Sequence, residues 1–256
     1  MNILRSIALA FSTFSCLPTP NVAWDKRNMR AMLASFPLVG LLVALVLWGW
    51  WAFCSALDIG QTLFAAGVTL IPILVSGKIH MDGYCDTIDA LSSNATPERR
   101  REILKDPHTG AFALIGACVY ILAYFALATE LGRTNEMLVL LGLTQVLTRA
   151  LSALCLLLFP SNGSNGLGDL FKNSSARWAL ATVIALFLIC AAGLIAVSPI
   201  SGGAMTFAAV LTGAYVYVMS KRAFGGMSGD LAGFCLQLAQ LIMLGALILT
   251  EKAVAI

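Results

Sequence analysis

Charge is scarce in this chain. Asp, Glu, Lys and Arg make up 11% of its 256 residues, and hydrophobic residues 59%, with a mean hydropathy of +0.87. Soluble proteins average about 25% charged residues, so a water-exposed globular fold is excluded and an integral membrane protein is indicated. Histidine is scarcer still. His80 and His108 stand alone, and each reads as a structural hydrogen-bonder rather than a ligand, which argues against a zinc site. Paired cysteine spacing is missing too. The seven cysteines, at 16, 54, 85, 118, 155, 190 and 235, lie mostly inside apolar runs and read as small buried hydrophobes rather than disulfides. The formal net charge of +3 is too small to point to nucleic acid. A chain of this length has room for six to eight spans of about 20 residues, so residues 1–256 read as one membrane-embedded domain of the all-α class.

What is present is a series of apolar runs broken by short polar stretches. The first, up to Pro18 and Pro20, is about 15 residues long and short for a span. It resembles a signal peptide in part, but the basic segment after it, with Lys26, Arg27 and Arg30, favours a retained interfacial or re-entrant helix. Spans are expected at 36–57, 61–77, 110–129, 137–159, 178–198, 204–220 and 234–250, seven in all. The second is expected to continue as a helix through Asp89. Trp48, Trp50 and Trp51 fall towards the far end of the first span, where aromatic rings favour the headgroup layer.

An odd number of spans puts the two ends of the chain on opposite sides. Thirteen of the sixteen basic residues fall on one side, with Arg133 and Lys252 on the other and Arg149 inside a span. The positive-inside rule assigns that richer side to the cytoplasm. A multi-pass membrane protein with its basic side in the cytoplasm is expected.

On the same side lies the one strongly charged stretch, HMDGYCDTIDALSSNATPERRREILKDPHTG, from His80 to Gly110. At about 100° per residue, Asp82, Asp86 and Asp89 fall at roughly 0°, 40° and −20° around a helix, on one stripe. Like charges so placed repel, and they must take up protons or a cation. An all-oxygen donor set suits a hard divalent ion, Mg2+ first, with substrate phosphates completing its shell. Arg99, Arg100, Arg101 and Lys105 supply charge for phosphate, and Glu102 and Asp106 read as a second acidic pair four residues apart. Acid for a metal and base for phosphate point to phosphoryl chemistry.

Three further features sit outside this island. Residues 160–177 contain SNGSNGLGDLF, best read as a polar turn. Residues 221–233 pack Gly225, Gly226, Gly229 and Gly233 around Ser228 and Asp230; a glycine-rich turn entering a helix binds phosphate on its amides, but glycine is also common at crossings of membrane helices. Arg149, about midway along a span, is a costly charge that calls for a polar cavity or partner.

Taken together, these pieces resemble the cobalamin synthases, the adenosylcobinamide-GDP ribazoletransferases. The family's H-x-D-G-x-x-D-x-x-D-G reads here as His80, Asp82, Gly83, Asp86 and Asp89, and its R-x-x-E-x-[LM]-[KR]-D-x-x-x-G as Arg99, Glu102, Leu104, Lys105, Asp106 and Gly110. L-P-x-P at Leu17–Pro20, F-P-L-[VI]-G at Phe36–Gly40, an arginine at Arg149, G-L-G-x-x-F at Gly166–Phe171 and G-G-x-[ST]-G-D at Gly225–Asp230 extend the likeness over nearly the whole chain. Ala90 stands where the family has glycine, and Asn165, Gln237 and Gln240 stand where it has acids.

The resemblance implies a late step of cobalamin biosynthesis, carried out in a prokaryotic cytoplasmic (inner) membrane. Adenosylcobinamide-GDP and α-ribazole, or its 5′-phosphate, would give adenosylcobalamin, or its phosphate, and GMP with a divalent metal. Asp82, Asp86 and Asp89 would hold Mg2+; Arg99 and Lys105 would contact phosphate, with Arg149, Gly229 and Asp230 also on the substrate side; Glu102 or Asp106 would accept the attacking hydroxyl's proton or bind a second metal ion. Oligomeric state and association with other cobalamin-assembly enzymes are left open. A CDP-alcohol phosphotransferase also carries aspartates on a membrane helix, but its D-G-x-x-A-R is broken here by Cys85 and Asp86. A transporter would hold its acids at mid-membrane, whereas these lie mostly in loops.

Overall fold

The computed structural model describes residues 3–163 and 166–254. In lipid a backbone must satisfy its own polar groups, and the described residues do so as helices, with one isolated bridge between Ser161 and Met227. In chain order these are α1 (Ile3–Phe14), α2 (Lys26–Met29), α3 (Met32–Ala56), α4 (Gln61–Val75), α5 (Ile79–Ser92) and α6 (Pro97–Ile103). They continue as α7 (Ala111–Thr129), α8 (Asn135–Leu158), α9 (Leu167–Ser174), α10 (Arg177–Val197), α11 (Pro199–Phe224) and α12 (Gly229–Val254). Among the described residues α3, α7, α8, α10, α11 and α12 are long and apolar enough to cross a membrane, and α4 with α5 makes a seventh, bent segment. The all-α polytopic fold expected from hydropathy is what the chain adopts, and the span positions agree closely.

The continuous helix expected from Gln61 through Asp89 is corrected: α4 and α5 meet at 92°. α4 closes with a Schellman pair, Lys78 N donating to Ile73 O and Gly77 N to Leu74 O, both at 3.1 Å. Gly77 takes the left-handed φ of +65° that such a cap requires, and Lys78 follows at +69°. α4 is about 22 Å long at 1.5 Å per residue. Its first residue, Gln61, donates to the carbonyls of Thr129, which ends α7, and of Leu131 just beyond, at 3.2 and 2.8 Å. The far end of α5 meets the start of α7, so α5 lies across the end of the bundle that carries the charged island.

At this island end the chain is tied together repeatedly. Cys16 N donates to Val75 O and Ala176 N to Arg30 O, both at 2.9 Å, and Met227 N donates to Pro160 O at 2.7 Å. The opposite end has polar ties of its own, among them Lys252 to Glu130 at 2.7 Å and Arg133 Nε to Gln61 Oε1 at 2.9 Å. Side chains such as Leu114, Ile115, Leu122, Ile189 and Phe207 point outwards, as a lipid-facing surface requires. α12 runs through the middle, packed on α5, α7, α8 and α11.

The short helices explain the remaining segments. α1 has 12 residues, too few to cross, and buries Leu9, Ala10 and Phe14 against the bundle, as an interfacial or re-entrant helix does. Residues 160–177 hold α9 as well as a turn; Asn165 lies outside the described residues. The cysteines are all free. Cys54, Cys155, Cys190 and Cys235 are buried, whereas Cys16 and Cys118 are exposed.

Candidate active site

α5 has two faces. His80, Met81, Gly83, Tyr84, Thr87 and Ala90 are buried, and the opposite stripe carries Asp82, exposed, with Asp86 and Asp89, each half-buried. The buried face is cut for close contact with α12. A Cβ on Gly83 would stand 2.7 Å from Asp230 O, and one on Gly233 would stand 3.0 Å from His80 O, so the two backbones touch where glycines permit it. Tyr84 stacks on Phe234 with centroids 5.5 Å apart. That crossing brings Asp230, from the far end of the sequence, to the aspartates of the island.

The carboxylates of Asp82, Asp230 and Asp89 stand close enough to that of Asp86 to repel it. Among the described residues none of the four takes part in an ion pair. Four carboxylates without a compensating cation create a demand for a proton or a metal ion. The all-oxygen donor set fits Mg2+, which commonly retains water and draws ligands from substrate phosphate. Among the described residues no three His, Cys, Asp or Glu side chains converge into a closed ligand set. Asp89 has a second engagement: its Oδ1 accepts from Ala113 N at 3.3 Å, capping α7, whose own N-cap Gly110 has no side chain to do so.

Beside the cluster is a cavity of about 310 Å3. Its polar lining includes Asp82, Asp230 and Ser228, with Gly229 at the start of α12; its apolar walls come from α1, α3, α8 and α9. Ser228 Oγ accepts from Leu231 N at 3.3 Å and serves as the side-chain cap of α12.

Arg99, Glu102, Lys105 and Asp106, in the second half of the island, do not line that cavity. Thr96 caps α6, which ends at Ile103, so Asp106 is off the helix and the expected i, i+4 pair with Glu102 does not form. Pro107, next in sequence, disfavours helix at Asp106. Glu102 pairs with Arg99 at 2.7 Å on the surface. Asp106 accepts from His108 N at 3.0 Å and meets its ring at 2.7 Å; these hydrogen bonds, backbone first, hold its carboxyl below the usual range. Lys105 is exposed. Arg101 docks α6 onto the end of α11 through Phe224 O at 3.3 Å.

Arg149 is fully buried in α8. It donates to Ser76 Oγ at 2.6 Å and to Gln145 O at 2.8 Å, so it braces the α4–α5 break rather than lining the cavity. Gln240 reaches the same Gln145 side chain at 2.7 Å, and Gln237 accepts from Tyr120 at 2.9 Å. Both therefore work as neutral hydrogen-bonders. Sequence reasoning passed over His80 as structural, yet it lines the cavity; its position two residues before Asp82 was the available signal.

Known proteins resemble this chain over nearly its whole length. The profile of the cobalamin-5-phosphate synthase family matches residues 6–248. A relative from Lachnoclostridium phytofermentans, named adenosylcobinamide-GDP ribazoletransferase, is 38% identical over 99% of this chain and 97% of its own length. Proteins of the same name from Clostridium botulinum (strain Alaska E43) and Geobacillus kaustophilus are 27% and 28% identical, covering 94% and 96% of this chain and 96% of their own length in each case. No solved structure matches the chain.

Proposed function

The chain belongs to the cobalamin-5-phosphate synthase family, and on that premise we propose that it transfers the adenosylcobinamide phosphate moiety of adenosylcobinamide-GDP to α-ribazole or its 5′-phosphate. The products are adenosylcobalamin, or its 5′-phosphate, and GMP. One observation carries the reading: Asp82 of the island and Asp230 of the glycine motif line a single cavity, although the sequence separates them by most of the chain.

A hydroxyl oxygen of the ribazole forms a bond to the corrinoid-side phosphorus, the bond from that phosphorus to the bridging oxygen breaks, and GMP leaves with the electron pair. Asp82, Asp86 and Asp89 are the residues that would hold a magnesium ion. Such an ion, when bound, supplies neutralising charge for the diphosphate and the departing GMP. Asp230 is the proposed acceptor of the hydroxyl proton in place of Glu102 or Asp106, because Asp230 lines the cavity and those two do not. Lys105 and Arg99 contact phosphate from the surface side. The site faces the cytoplasm of a prokaryotic inner membrane, in keeping with the thirteen basic residues gathered at its end.

Purified protein in detergent, given adenosylcobinamide-GDP, α-ribazole and magnesium, is expected to release GMP, and CDP-diacylglycerol is expected to yield no CMP. Release of CMP without GMP would overturn the reading.

A further inference from the structure

The cavity beside the aspartates has an inner end that the reaction above leaves without a task. Its wall is aromatic. The His80 ring stacks on Phe36 at 5.2 Å and on Phe14 at 5.9 Å, and Phe171 meets Phe14 edge-on at 5.7 Å. His80 is 5% exposed, and neither of its ring nitrogens has a hydrogen-bond partner among the described residues. An imidazole buried in this way is costly unless a ligand supplies the missing bond.

We propose that this inner end is the binding pocket for the base of α-ribazole, held between the aromatic wall and a hydrogen bond from His80. The assignment rests on the transferase reading above and adds to it which substrate enters here and in which direction. Size supports it: about 310 Å3 lies at the bottom of the roughly 300–1,000 Å3 range of ligand pockets, enough for a nucleoside and far too little for a corrinoid ring. Chemistry supports it as well. A benzimidazole nucleoside offers a flat apolar bicycle and a single unsubstituted ring nitrogen, which accepts one hydrogen bond. Neutral histidine has one N–H to donate, and the neighbouring Leu33, Phe36 and Phe171 offer nothing polar. Guanine, with several donors and acceptors, would leave most of them unpaired there and is rejected. With the base inside, the ribose points towards Asp82, Ser228 and Asp230 at the polar side of the cavity. Its hydroxyls then sit among the carboxylates where the proton must go.

The test uses the detergent-purified full chain. Equilibrium dialysis without corrinoid is expected to show one α-ribazole bound per chain, undisplaced by guanosine. His80→Phe keeps the ring and loses the hydrogen bond; it is expected to raise the KM for α-ribazole about tenfold or more and to leave the KM for adenosylcobinamide-GDP within about twofold. Leu167→Trp is a second variant, safe for folding because Leu167 is 49% exposed; it narrows the cavity and is expected to shift the α-ribazole KM in the same direction. The pocket assignment is overturned if both variants leave α-ribazole binding unchanged, if either raises the KM of the corrinoid instead, or if guanosine displaces α-ribazole. Normal GMP release with unaffected ribazole KM defeats the pocket alone. Ribazole binding weakened by His80→Phe, with no GMP release from the wild type, defeats the transferase reading and leaves the pocket standing.

Discussion

Arg149, fully buried on α8, donates to the hydroxyl of Ser76 at 2.6 Å, and Ser76 is the residue on which α4 closes before the chain turns into α5. The guanidinium has no carboxylate partner among the described residues, so its desolvation is repaid by hydrogen bonds alone. Its contribution is therefore to geometry more than to stability. Arg149→Met is expected to change the unfolding free energy in detergent by no more than about 1 kcal/mol, since it removes an unpaired buried charge together with its bonds. Turnover is expected to fall about tenfold or more, because α5 loses the brace that sets the aspartates against the cavity. A loss of more than about 3 kcal/mol with normal turnover of the folded fraction would make Arg149 purely structural.

The four uncompensated carboxylates make a prediction whose two parts run in opposite directions. Asp82→Asn and Asp230→Asn each remove one like charge from a repelling cluster. Thermal unfolding in metal-free detergent is expected at an unchanged or higher temperature, while GMP release falls about a hundredfold or more. Loss of folded protein in both variants would mean that the acids hold the fold together.

Contact between α5 and α12 is tested at Gly83. Gly83→Ala places a methyl 2.7 Å from Asp230 O, so either the helices part or the backbone shifts. A cost of about 1–3 kcal/mol is expected, with lower activity because Asp230 moves. Gly49→Ala is the control. Its Cβ would meet nothing within 4 Å, and it is expected to be neutral or stabilising by up to about 1 kcal/mol.

Sidedness is open to chemical labelling. With the native cysteines replaced, Ala95→Cys at the island end and Asn135→Cys at the start of α8 are expected to react from opposite sides of intact cells. Labelling of both from outside would turn the site away from the cytosol and remove the basis for a cytoplasmic reaction.

The parts of this arrangement that were legible in sequence are those set by local rules. Long apolar runs specify crossing helices, and period-3.6 spacing puts Asp82, Asp86 and Asp89 on one stripe. The α4–α5 break was missed because hydropathy continues smoothly through Val75 while the stop signal is one residue, Gly77, in a cap that only its φ reveals. Asp106 was grouped with Glu102 by spacing alone, although Pro107 argued for an early end to α6. The role of His80 was hidden for a different reason: Phe14, Phe36 and Phe171, which frame it, come from three separate elements, and no local pattern links them. Tertiary contact decides such sites.

The last prediction separates phosphate contact from metal holding within the island. Lys105 lies beyond the end of α6, exposed, where a cation serves by meeting phosphate rather than by balancing the aspartates. Lys105→Ala is expected to lower turnover about a hundredfold, the usual effect of losing one charge contact worth roughly 3 kcal/mol to a leaving group. Extra magnesium is not expected to restore it, since the missing charge is not the metal's. Asp89→Asn keeps an oxygen for Ala113 N and so preserves the cap on α7, but it removes a charge from the carboxylate cluster. Its activity is expected to recover in part as magnesium is raised, as for a peripheral ligand. Magnesium titrations of GMP release in the two variants provide the measurement. Rescue of Lys105→Ala without rescue of Asp89→Asn would reverse the two roles.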